Sequence, residues 1–220
     1  MKLAQGSQSF IIAGLCLLIC SIVLTYFSSI FLLLFIFSII LLIFFIYFFR
    51  DPERFPPSNE SYVLSPAEGY VYSVNSSSNI LKIQIRMSLF NVHVTRAPIS
   101  GKITSITRYT GSFWPMLPFL KRGSEKNARQ IIHIQGKYFM IKVVQIAGLF
   151  ARRCVCYKQE NDVVTRGSKL GIIRFGSEVD LIFSMHAAVQ VLVKKGDKVK
   201  TGETPVAKII NFKEGDHSSS

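Results

Sequence analysis

Two residue types in this chain could together do nucleophilic chemistry: a serine that follows a glycine, at Gly176-Ser177, and a histidine set among apolar residues, at His93. A serine hydroxyl is a weak nucleophile until a neighbouring base takes its proton, and imidazole is the commonest such base. A glycine before the serine lets the chain form a strained turn and leaves the glycine carbonyl open to attack. Because Gly-Ser pairs are typical of simple turns, only the surrounding segments can indicate catalysis.

Five short motifs surround these residues, in order along the chain. They are residues 48–54 (FFRDPER), 65–69 (SPAEG), 87–98 (MSLFNVHVTRAP), 145–156 (QIAGLFARRCVC) and 171–180 (GIIRFGSEVD). Together, from about Phe48 to Phe183, they resemble the short bacterial phosphatidylserine decarboxylases. The apolar segment that precedes the first motif is similar to that family as well.

The resemblance implies an enzyme that makes its own pyruvoyl group by self-cleavage between Gly176 and Ser177. The serine hydroxyl attacks the glycine carbonyl to give an ester, elimination leaves dehydroalanine, and hydrolysis yields the pyruvoyl group and ammonia. The expected products are a β chain of residues 1–176 and an α chain of residues 177–220. The implied reaction converts phosphatidylserine to phosphatidylethanolamine through a Schiff base, with the pyruvoyl group as the electron sink.

The same resemblance assigns supporting roles to two further residues. His93 matches the histidine of the family motif and is expected to act as general base and acid. Glu68 stands where the family usually has aspartate, and it is expected to orient His93 with a carboxylate that reaches one methylene further. Larger members have a second histidine three positions before His93, where this chain has Phe90.

Phosphatidylserine carries a phosphate and a carboxylate, and a guanidinium can pair with either group. The candidate contacts for the lipid headgroup are therefore arginines in or near the motifs: Arg86, Arg96, Arg129, Arg152 and Arg153. Taken one at a time, each of these positions is more typical of a solvated face or of a charge at a strand edge.

Residues 113–122 (FWPMLPFLKR) combine large apolar side chains with two prolines and end in two basic residues. The prolines disfavour a central strand or a regular helix. We predict a loop that contacts the membrane through Phe113, Trp114 and Phe119, since tryptophan favours the bilayer interface. A loop that covers the core is the alternative.

No metal site is expected. The four cysteines (Cys16, Cys20, Cys154 and Cys156) have neither CxxC spacing nor histidines at metal-ligand spacing. They are interpreted as reduced packing residues. The implied chemistry also needs no pyridoxal phosphate.

Residues 10–49 form an almost continuous apolar block with no charge. As one helix it would be roughly 60 Å long, whereas the hydrocarbon layer is about 30 Å thick. Two spans, near residues 10–27 and 30–49, fit with a turn at Ser28-Ser29. Lys2 precedes this hairpin and Arg50 and Arg54 follow it, so the positive-inside rule places both termini in the cytoplasm. The expected location is the bacterial inner membrane, with the catalytic domain on its cytoplasmic side.

The rest of the chain is basic: residues 50–220 hold 25 of the 26 Lys and Arg residues against all 13 acidic residues. This charge suits attraction to an anionic membrane surface. No nucleic-acid-binding module is recognisable, so nucleic acid is not an expected partner. The expected partners are phosphatidylserine, the anionic membrane and the two chains of one precursor, and a homo-oligomer is left open.

Short apolar runs with period-two alternation, separated by Gly, Pro and Asn turns, predict a mainly β domain of many short strands. Residues 162–167 (DVVTRG) resemble residues 197–202 (DKVKTG), as in the hammerhead hairpins of lipoyl- and biotinyl-type barrels. We expect such barrel elements after the helical hairpin. The predicted organisation is an anchor at 1–49, a linker at 50–61, a catalytic domain at 62–213 and a disordered tail at 214–220.

A second interpretation belongs to another functional class. The chain could be a membrane-tethered lipoyl-like binding or adaptor module without catalysis. The centre between the two repeats, at 174–180, lacks the lysine that carrier domains modify and has Gly176-Ser177 instead. An adaptor has no need for that pair, nor for His93 and Glu68 in their motifs, so the sequence favours the enzyme.

Overall fold

A computed structural model describes residues 2–77, 80–112, 126–148, 154–174, 177–184 and 189–210, with the side chains of Ser177 and Ser184 left out. The chain forms two compact units. The first comprises Met1–Glu53 together with Leu89–Val92, and the second comprises Arg54–Ser88 and His93–Ser220. The first unit therefore includes four residues from the middle of the chain.

The first unit is a helical hairpin. Helix α1 spans Gln8–Phe27, a 3₁₀ turn spans Ser29–Phe31, and helix α2 spans Leu32–Phe48. Strands β1 (Lys2–Leu3) and β2 (Arg50–Asp51) pair antiparallel at the two ends of the hairpin. Both helical segments are long and apolar enough to cross a membrane, judged by length and composition. The predicted pair of apolar helices is confirmed.

The two helices pack through small and aromatic side chains. The Ser21 and Ser38 hydroxyls lie 2.9 Å apart in a buried contact, and each also lies within hydrogen-bond distance of a carbonyl of its own helix. Since each hydroxyl has one proton, one serine donates to the other while its partner donates to its own helix. The rings of Phe10 and Phe45 meet edge to face, with 5.8 Å between their centroids. Hydroxyls that bond back to the helix are tolerated among apolar residues, so the weakly polar positions of the block hold the hairpin together.

The second unit is built from strands. Their bounds are β3 (Tyr62–Leu64), β4 (Gly69–Ser76), β5 (Ile80–Met87), β6 (Val94–Arg96), β7 (Gly101–Tyr109), β8 (Arg129–Gln135), β9 (Met140–Ala147), β10 (Cys154–Cys156), β11 (Val163–Val164), β12 (Lys169–Ile173), β13 (Ser177–Ser184), β14 (Val189–Val191), β15 (Lys198–Val199) and β16 (Pro205–Ile209). The mainly β prediction is confirmed.

These strands form one large antiparallel sheet and two small ones. The large sheet has the order β11-β7-β8-β9-β13-β5-β4-β15, and the small sheets are β10-β12-β6 and β14-β16-β3. The large sheet has two matching halves. Counted from its two edges towards its centre, β11 corresponds to β15, β7 to β4, β8 to β5 and β9 to β13. The small sheets match in the same way, so the unit has an internal two-fold repeat with its centre between β9 and β13.

The repeat extends to single residues. Gly69 and Gly101 begin equivalent strands, and Pro66 and Pro98 precede them by three positions. Leu64 donates its amide to the carbonyl of Pro98, while the equivalent Arg96 donates its amide to the carbonyl of Pro66, both at 3.0 Å. Strands β4 and β7 even share a register shift at the same position. The two halves are therefore built alike, although their sequences differ.

The short repeat seen in the sequence forms the same turn twice. The Asp162 carboxylate accepts a hydrogen bond from the backbone amide of Gln159 at 2.9 Å. The Asp197 carboxylate accepts one from the backbone amide of Lys194, also at 2.9 Å. An aspartate that closes a local turn in this way explains why the residue type recurs. Each turn leads through a short edge strand, β11 or β15, to a five-residue strand of a small sheet, β12 or β16.

The core lies against one face of the large sheet. Along β13, Val179, Leu181 and Phe183 are fully buried in the apolar cluster, while Glu178 and Asp180 alternate with them and face the other side. Most of the cluster consists of Ile and Val side chains, which suit a pleated surface. The central strand of the sheet is thus held by packing on one face and by polar contacts on the other.

Candidate active site

The backbone of Ser177 begins β13, the strand next to the centre of the large sheet. It stands opposite Met87 of β5 on one side and Ala147 of β9 on the other. The same pairings continue along the strand as far as Ser184 with β5 and Phe183 with β9. Position 177 is therefore held from both sides, while Gly176 lies outside the described residues.

His93 is fully buried and directly precedes β6. Its carbonyl accepts the amide of Ile173, the last residue of β12, at 3.2 Å. Ile173 and Ser177 are four positions apart, so their Cα atoms lie within about 14 Å. Two independent strand pairings, β12 with β6 and β13 with β5, therefore bring His93 and the Ser177 backbone into one region.

The internal repeat shows that this region combines the two halves of the fold, because His93 precedes β6 of one half and Ser177 begins β13 of the other. Ser61 occupies the position equivalent to His93, and its carbonyl accepts the amide of Ile209 at 2.9 Å. The position equivalent to Ser177 is Phe139. The backbone hydrogen bond thus occurs twice, but the two residue types that could do nucleophilic chemistry occupy these equivalent positions only once, as His93 in one half and Ser177 in the other.

Glu68 lies in the turn before β4, and its Oε2 accepts a hydrogen bond from Nη2 of Arg54. Arg54 also donates from Nη1 to Glu203 at 3.4 Å, and its own side chain is 8% exposed. One guanidinium therefore joins two carboxylates from distant parts of the chain. Arg54 is a contact that was not predicted from the sequence, although its place in the FFRDPER motif was a signal.

The turn that carries Glu68 is fixed by backbone bonds. The amide of Ser65 donates a hydrogen bond to the carbonyl of Thr204 at 2.8 Å. The carbonyl of Ser65 accepts one from the amide of Gly202, also at 2.8 Å. Gly69 follows Glu68 and runs so close to β5 that a Cβ atom there would lie 2.0 Å from the carbonyl oxygen of Arg86. Only glycine allows this approach, which explains the last residue of the SPAEG motif.

Glu178 follows Ser177, and it pairs with Arg86 of β5. Nε of Arg86 donates to its carboxylate at 2.9 Å, and the Arg86 guanidinium lies 3.4 Å from the centre of the Tyr72 ring. Nε2 of Gln84 contacts both Glu178 and Asp180, at 2.9 and 3.2 Å. Burial raises the pKa of the Glu178 carboxyl above its ordinary value, against the opposing effect of the Arg86 hydrogen bond.

A cavity of about 800 Å³ opens on this side of the sheet, lined among others by Tyr72, Lys82, Arg86, Lys194 and Lys195. Lys82 is paired with Asp180 at 2.7 Å, so the charges of Lys82 and Arg86 are both balanced by acids of β13. The two lysines at 194 and 195 give the cavity its positive excess.

The other predicted arginines have different surroundings. Arg96 is buried and donates from Nη1 to the carbonyl of Gly167 at 3.0 Å. Arg129 lies beside the Tyr109 ring, 5.5 Å from its centre, and lines a cavity of about 110 Å³ with Ala147, the residue opposite Ser177. The structure thus brings Arg129 towards the Ser177 strand and gives Arg96 a backbone partner.

Several predicted features lie outside the described part of the chain. They are Arg152, Arg153, the three proposed membrane-contact residues Phe113, Trp114 and Phe119, and the predicted tail at 214–220. The alternative that residues 113–122 cover the core lies outside it as well.

A chain of buried amides reaches β6, the strand that follows His93. Gln145 of β9 donates to Oγ1 of Thr95 at 2.6 Å, and Gln130 of β8 donates to Gln145 at 3.1 Å. Arg108 in turn donates to Gln130 at 3.0 Å, and Thr95 donates to the carbonyl of Gly171 at 3.2 Å. These bonds tie β6 to β9 within the core, so that the backbone near His93 is held by more than its own short sheet.

Cys154 and Cys156 lie on β10 as free thiols. Burial raises the pKa of Cys154 to about 12, so this thiol is protonated at neutral pH. Within the described residues, no group of three or more His, Cys, Asp or Glu side chains is arranged to hold a metal ion.

Comparison with known proteins adds an independent result. The family model described as phosphatidylserine decarboxylase matches residues 41–207. The chain is 39% identical over 202 residues to a phosphatidylserine decarboxylase proenzyme of Chlorobium chlorochromatii, covering 88% of this chain and 92% of the relative.

Two further relatives are comparably similar. A phosphatidylserine decarboxylase proenzyme of Pelobacter propionicus is 40% identical over 198 residues, covering 87% of this chain and 85% of the relative. A putative archaetidylserine decarboxylase proenzyme of Methanosarcina mazei is 43% identical over 166 residues, covering 76% of each chain. From the matched family model and the extent of these similarities, the chain belongs to the phosphatidylserine decarboxylase family and is a carboxy-lyase.

Proposed function

We propose that this chain decarboxylates phosphatidylserine to phosphatidylethanolamine, using a pyruvoyl group that it makes by self-cleavage between Gly176 and Ser177. The observation that carries the proposal is the joint position of the Ser177 backbone and His93, set by the pairing of β13 with β5 and of β12 with β6. Membership of a family whose relatives are named proenzymes supports a processed chain.

In the proposed self-cleavage, His93 takes the proton of the Ser177 hydroxyl, whose oxygen attacks the carbonyl carbon of Gly176. The peptide C–N bond breaks as the nitrogen is protonated, which leaves an ester. Loss of the Ser177 α-proton then breaks the Cβ–O bond and frees the Gly176 carboxylate. Water hydrolyses the resulting dehydroalanine to a pyruvoyl group and ammonia.

The strand arrangement fits such a group. Once the peptide bond is cut, residue 177 becomes the first residue of a new chain. Residue 176 no longer holds it in place, so its position depends on its contacts with neighbouring strands. Backbone pairing with both β5 and β9 along nearly the whole of β13 supplies those contacts. A pyruvoyl group held there would supply the electron sink that decarboxylation of an amino acid requires.

Three polar groups are proposed to support the site. His93 moves protons, and Glu68, held by Arg54, sets the charge near that histidine. The buried pair of Arg86 and Glu178 fixes the start of β13 directly after the cleavage point, since Glu178 is adjacent to Ser177. Arg54, Glu68, His93 and Glu178 come from four different motifs of the sequence.

For the lipid headgroup we propose Arg129, Arg152 and Arg153 as contacts. Arg129 lines the cavity that includes Ala147, opposite Ser177, and the other two follow from the sequence. Arg86 and Arg96 are engaged by Glu178 and by the carbonyl of Gly167, so their proposed part is to hold the backbone of the site.

We further propose that the hairpin spans the bacterial inner membrane with both termini in the cytoplasm. The basic residues at its two ends support this orientation, and the positive charge of residues 50–220 favours an anionic leaflet. Phosphatidylserine would then meet the catalytic unit at the surface in which the lipid resides.

The test is denaturing electrophoresis and mass spectrometry of the purified full chain, with release of CO₂ from phosphatidylserine vesicles. Wild-type protein should give two fragments, and the smaller one should begin with a pyruvoyl group. Ser177→Ala should remain intact and inactive, and His93→Ala should cleave slowly or not at all. His133→Ala is the matched control, because His133 contacts Ser105 at 2.8 Å on the paired strands β7 and β8.

An intact, inactive wild-type chain would favour the binding or adaptor module instead. Running the assay with archaetidylserine as well as phosphatidylserine shows whether the lipid tails matter, because relatives named for both substrates are similarly close to this chain.

A further inference from the structure

Residues Leu89–Val92 belong to the same compact unit as the helical hairpin, although they lie far from it in sequence. The contact is made at the end of α2. Nη2 of Arg50 donates to the carbonyl of Phe90 at 2.6 Å, and Nη1 donates to the carbonyl of Tyr47 at 2.9 Å. One side chain therefore joins this segment to the last turn of the second apolar helix.

Tyr47 strengthens the same junction. The Arg50 guanidinium lies over the Tyr47 ring, 4.0 Å from its centroid. The Tyr47 hydroxyl donates to the carbonyl of Phe90 at 3.4 Å. Two donors from the helix end thus converge on one backbone oxygen. A stacked guanidinium loses little further freedom when it forms its hydrogen bonds, so the segment is held firmly.

The side chains that this junction presents are apolar and exposed. Phe90 is 69% exposed, Leu89 is 37% exposed and Tyr47 is 44% exposed. Exposed aromatic residues beside an arginine at the end of an apolar helix are typical of the membrane–water interface. Helix α2 and its preceding turn, Ser29–Phe48, have the length of one span and present most of their surface outward.

We infer that Leu89–Val92 is a membrane-interface element, which inserts Leu89 and Phe90 at the boundary between headgroups and acyl chains and is held at that depth by Arg50. The occupant of this surface is the phospholipid bilayer, because the segment continues the surface of the hairpin at the point where the apolar helix ends. The interface element goes beyond the proposed reaction and does not depend on it.

One consequence does rest on the proposed function. His93 follows Val92 directly, so fixing Leu89–Val92 at the interface also fixes the chain that enters the candidate general base. The hairpin is then more than an anchor, and Arg50 is a positioning residue for the site.

The location can be measured without any turnover. Trp114 is the single tryptophan of the sequence, so Phe90→Trp in a Trp114→Phe background gives one fluorophore in the segment. The full chain is reconstituted into phosphatidylcholine vesicles whose acyl chains carry bromine either near the headgroup or near the methyl end. We expect quenching by both lipids, strongest with bromine near the headgroup, and Leu89→Trp should report the same depth.

Arg50 is tested in the same background. Arg50→Gln should lower the quenching of the tryptophan introduced at position 90 at least twofold, and Arg50→Lys should restore part of it. Lys2→Gln is the matched control, since Lys2 is another cation at the hairpin ends and its ion pair with Glu53 is exposed. Loss of quenching in both Arg50→Gln and Lys2→Gln, or in neither, would overturn the role of Arg50.

No quenching at either tryptophan position would overturn the interface element itself. Burial of both tryptophans between copies of the chain, and not in lipid, would overturn it as well.

In the wild-type background, Arg50→Gln should lower kcat about tenfold with little change in vesicle binding, because catalysis is sensitive to small misplacements. An inactive wild-type chain that still shows quenching would count against the proposed function alone.

Discussion

Arg86 and Glu178 face each other across β5 and β13, and Nε of the arginine donates to the carboxylate at 2.9 Å. Their side chains are 6% and 1% exposed. The equivalent pair in the other half of the repeat is Gln135 and Met140, neither of which is charged. The fold therefore does not require an ion pair at this position, and the pair distinguishes the half that contains Ser177.

Removing one partner of this pair should destabilise the protein strongly. Arg86→Met leaves a buried carboxylate without its cation, which is expected to lower the free energy of unfolding by about 3–5 kcal/mol. The double variant Arg86→Met/Glu178→Met should recover most of that loss. Urea unfolding of the uncut Ser177→Ala chain in detergent measures both effects.

Lys82→Met is the control for that measurement. Lys82 also pairs with an acid of β13, but its side chain is 34% exposed, so its loss should cost much less than that of Arg86. Equal losses for Lys82→Met and Arg86→Met would contradict the assignment of a special buried pair.

The same carboxyl should make stability depend on pH. Burial raises the pKa of Glu178 in the folded chain above the ordinary value of 4.5. At a pH between these two pKa values, the folded chain keeps the Glu178 proton and the unfolded chain has lost it. Its contribution to stability is therefore full below about pH 4.5 and is lost as the pH rises through the folded-state pKa. Unfolding of Ser177→Ala with and without Glu178→Gln, compared between about pH 4 and 8, should show a steeper fall when Glu178 is present.

Two equivalent glycines should be equally intolerant of a side chain. A Cβ atom would lie 2.0 Å from a carbonyl oxygen at Gly69 and 2.3 Å from one at Gly101. Backbone atoms of the large sheet cannot move away without breaking strand pairing. Each change to Ala should therefore lower the free energy of unfolding by about 3 kcal/mol or more. Gly196→Ala is the control, since nothing lies within 4 Å of the added atom and only its φ of +96° opposes it. A mild effect at one of the two sites alone would argue against their structural equivalence.

Arg54 should matter beyond its charge, since it joins Glu68 and Glu203. Arg54→Gln leaves two carboxylates near each other without their shared cation, and we expect a loss of roughly 3 kcal/mol in the free energy of unfolding. Arg54→Lys should recover only part, because an ammonium cannot reproduce the fork of a guanidinium. If Glu68 acts with His93, Arg54→Gln should also slow self-cleavage, measured as the fraction of cut chain over time. Wild-type stability in Arg54→Gln would show that the cluster is dispensable.

The local pattern of the sequence determines much of this protein. Uninterrupted apolar residues predict the two helices, because only a helix satisfies its own backbone in lipid. Alternation of apolar and polar residues predicts the strands, because successive side chains face opposite sides of a sheet. The motifs around Ser177 and His93 indicate the family, which the comparison with relatives confirms.

Only the tertiary structure decides which distant residues meet. The sequence shows one short repeat, at 162–167 and 197–202, whereas the structure extends it to matched strands on both sides of β9 and β13. Backbone hydrogen bonds need the same pattern of buried and exposed side chains but not the same residues, so the two halves differ in sequence and share their geometry. For the same reason the partners of Glu68, Glu178 and Phe90, which are Arg54, Arg86 and Arg50, follow from chain packing and not from spacing along the chain.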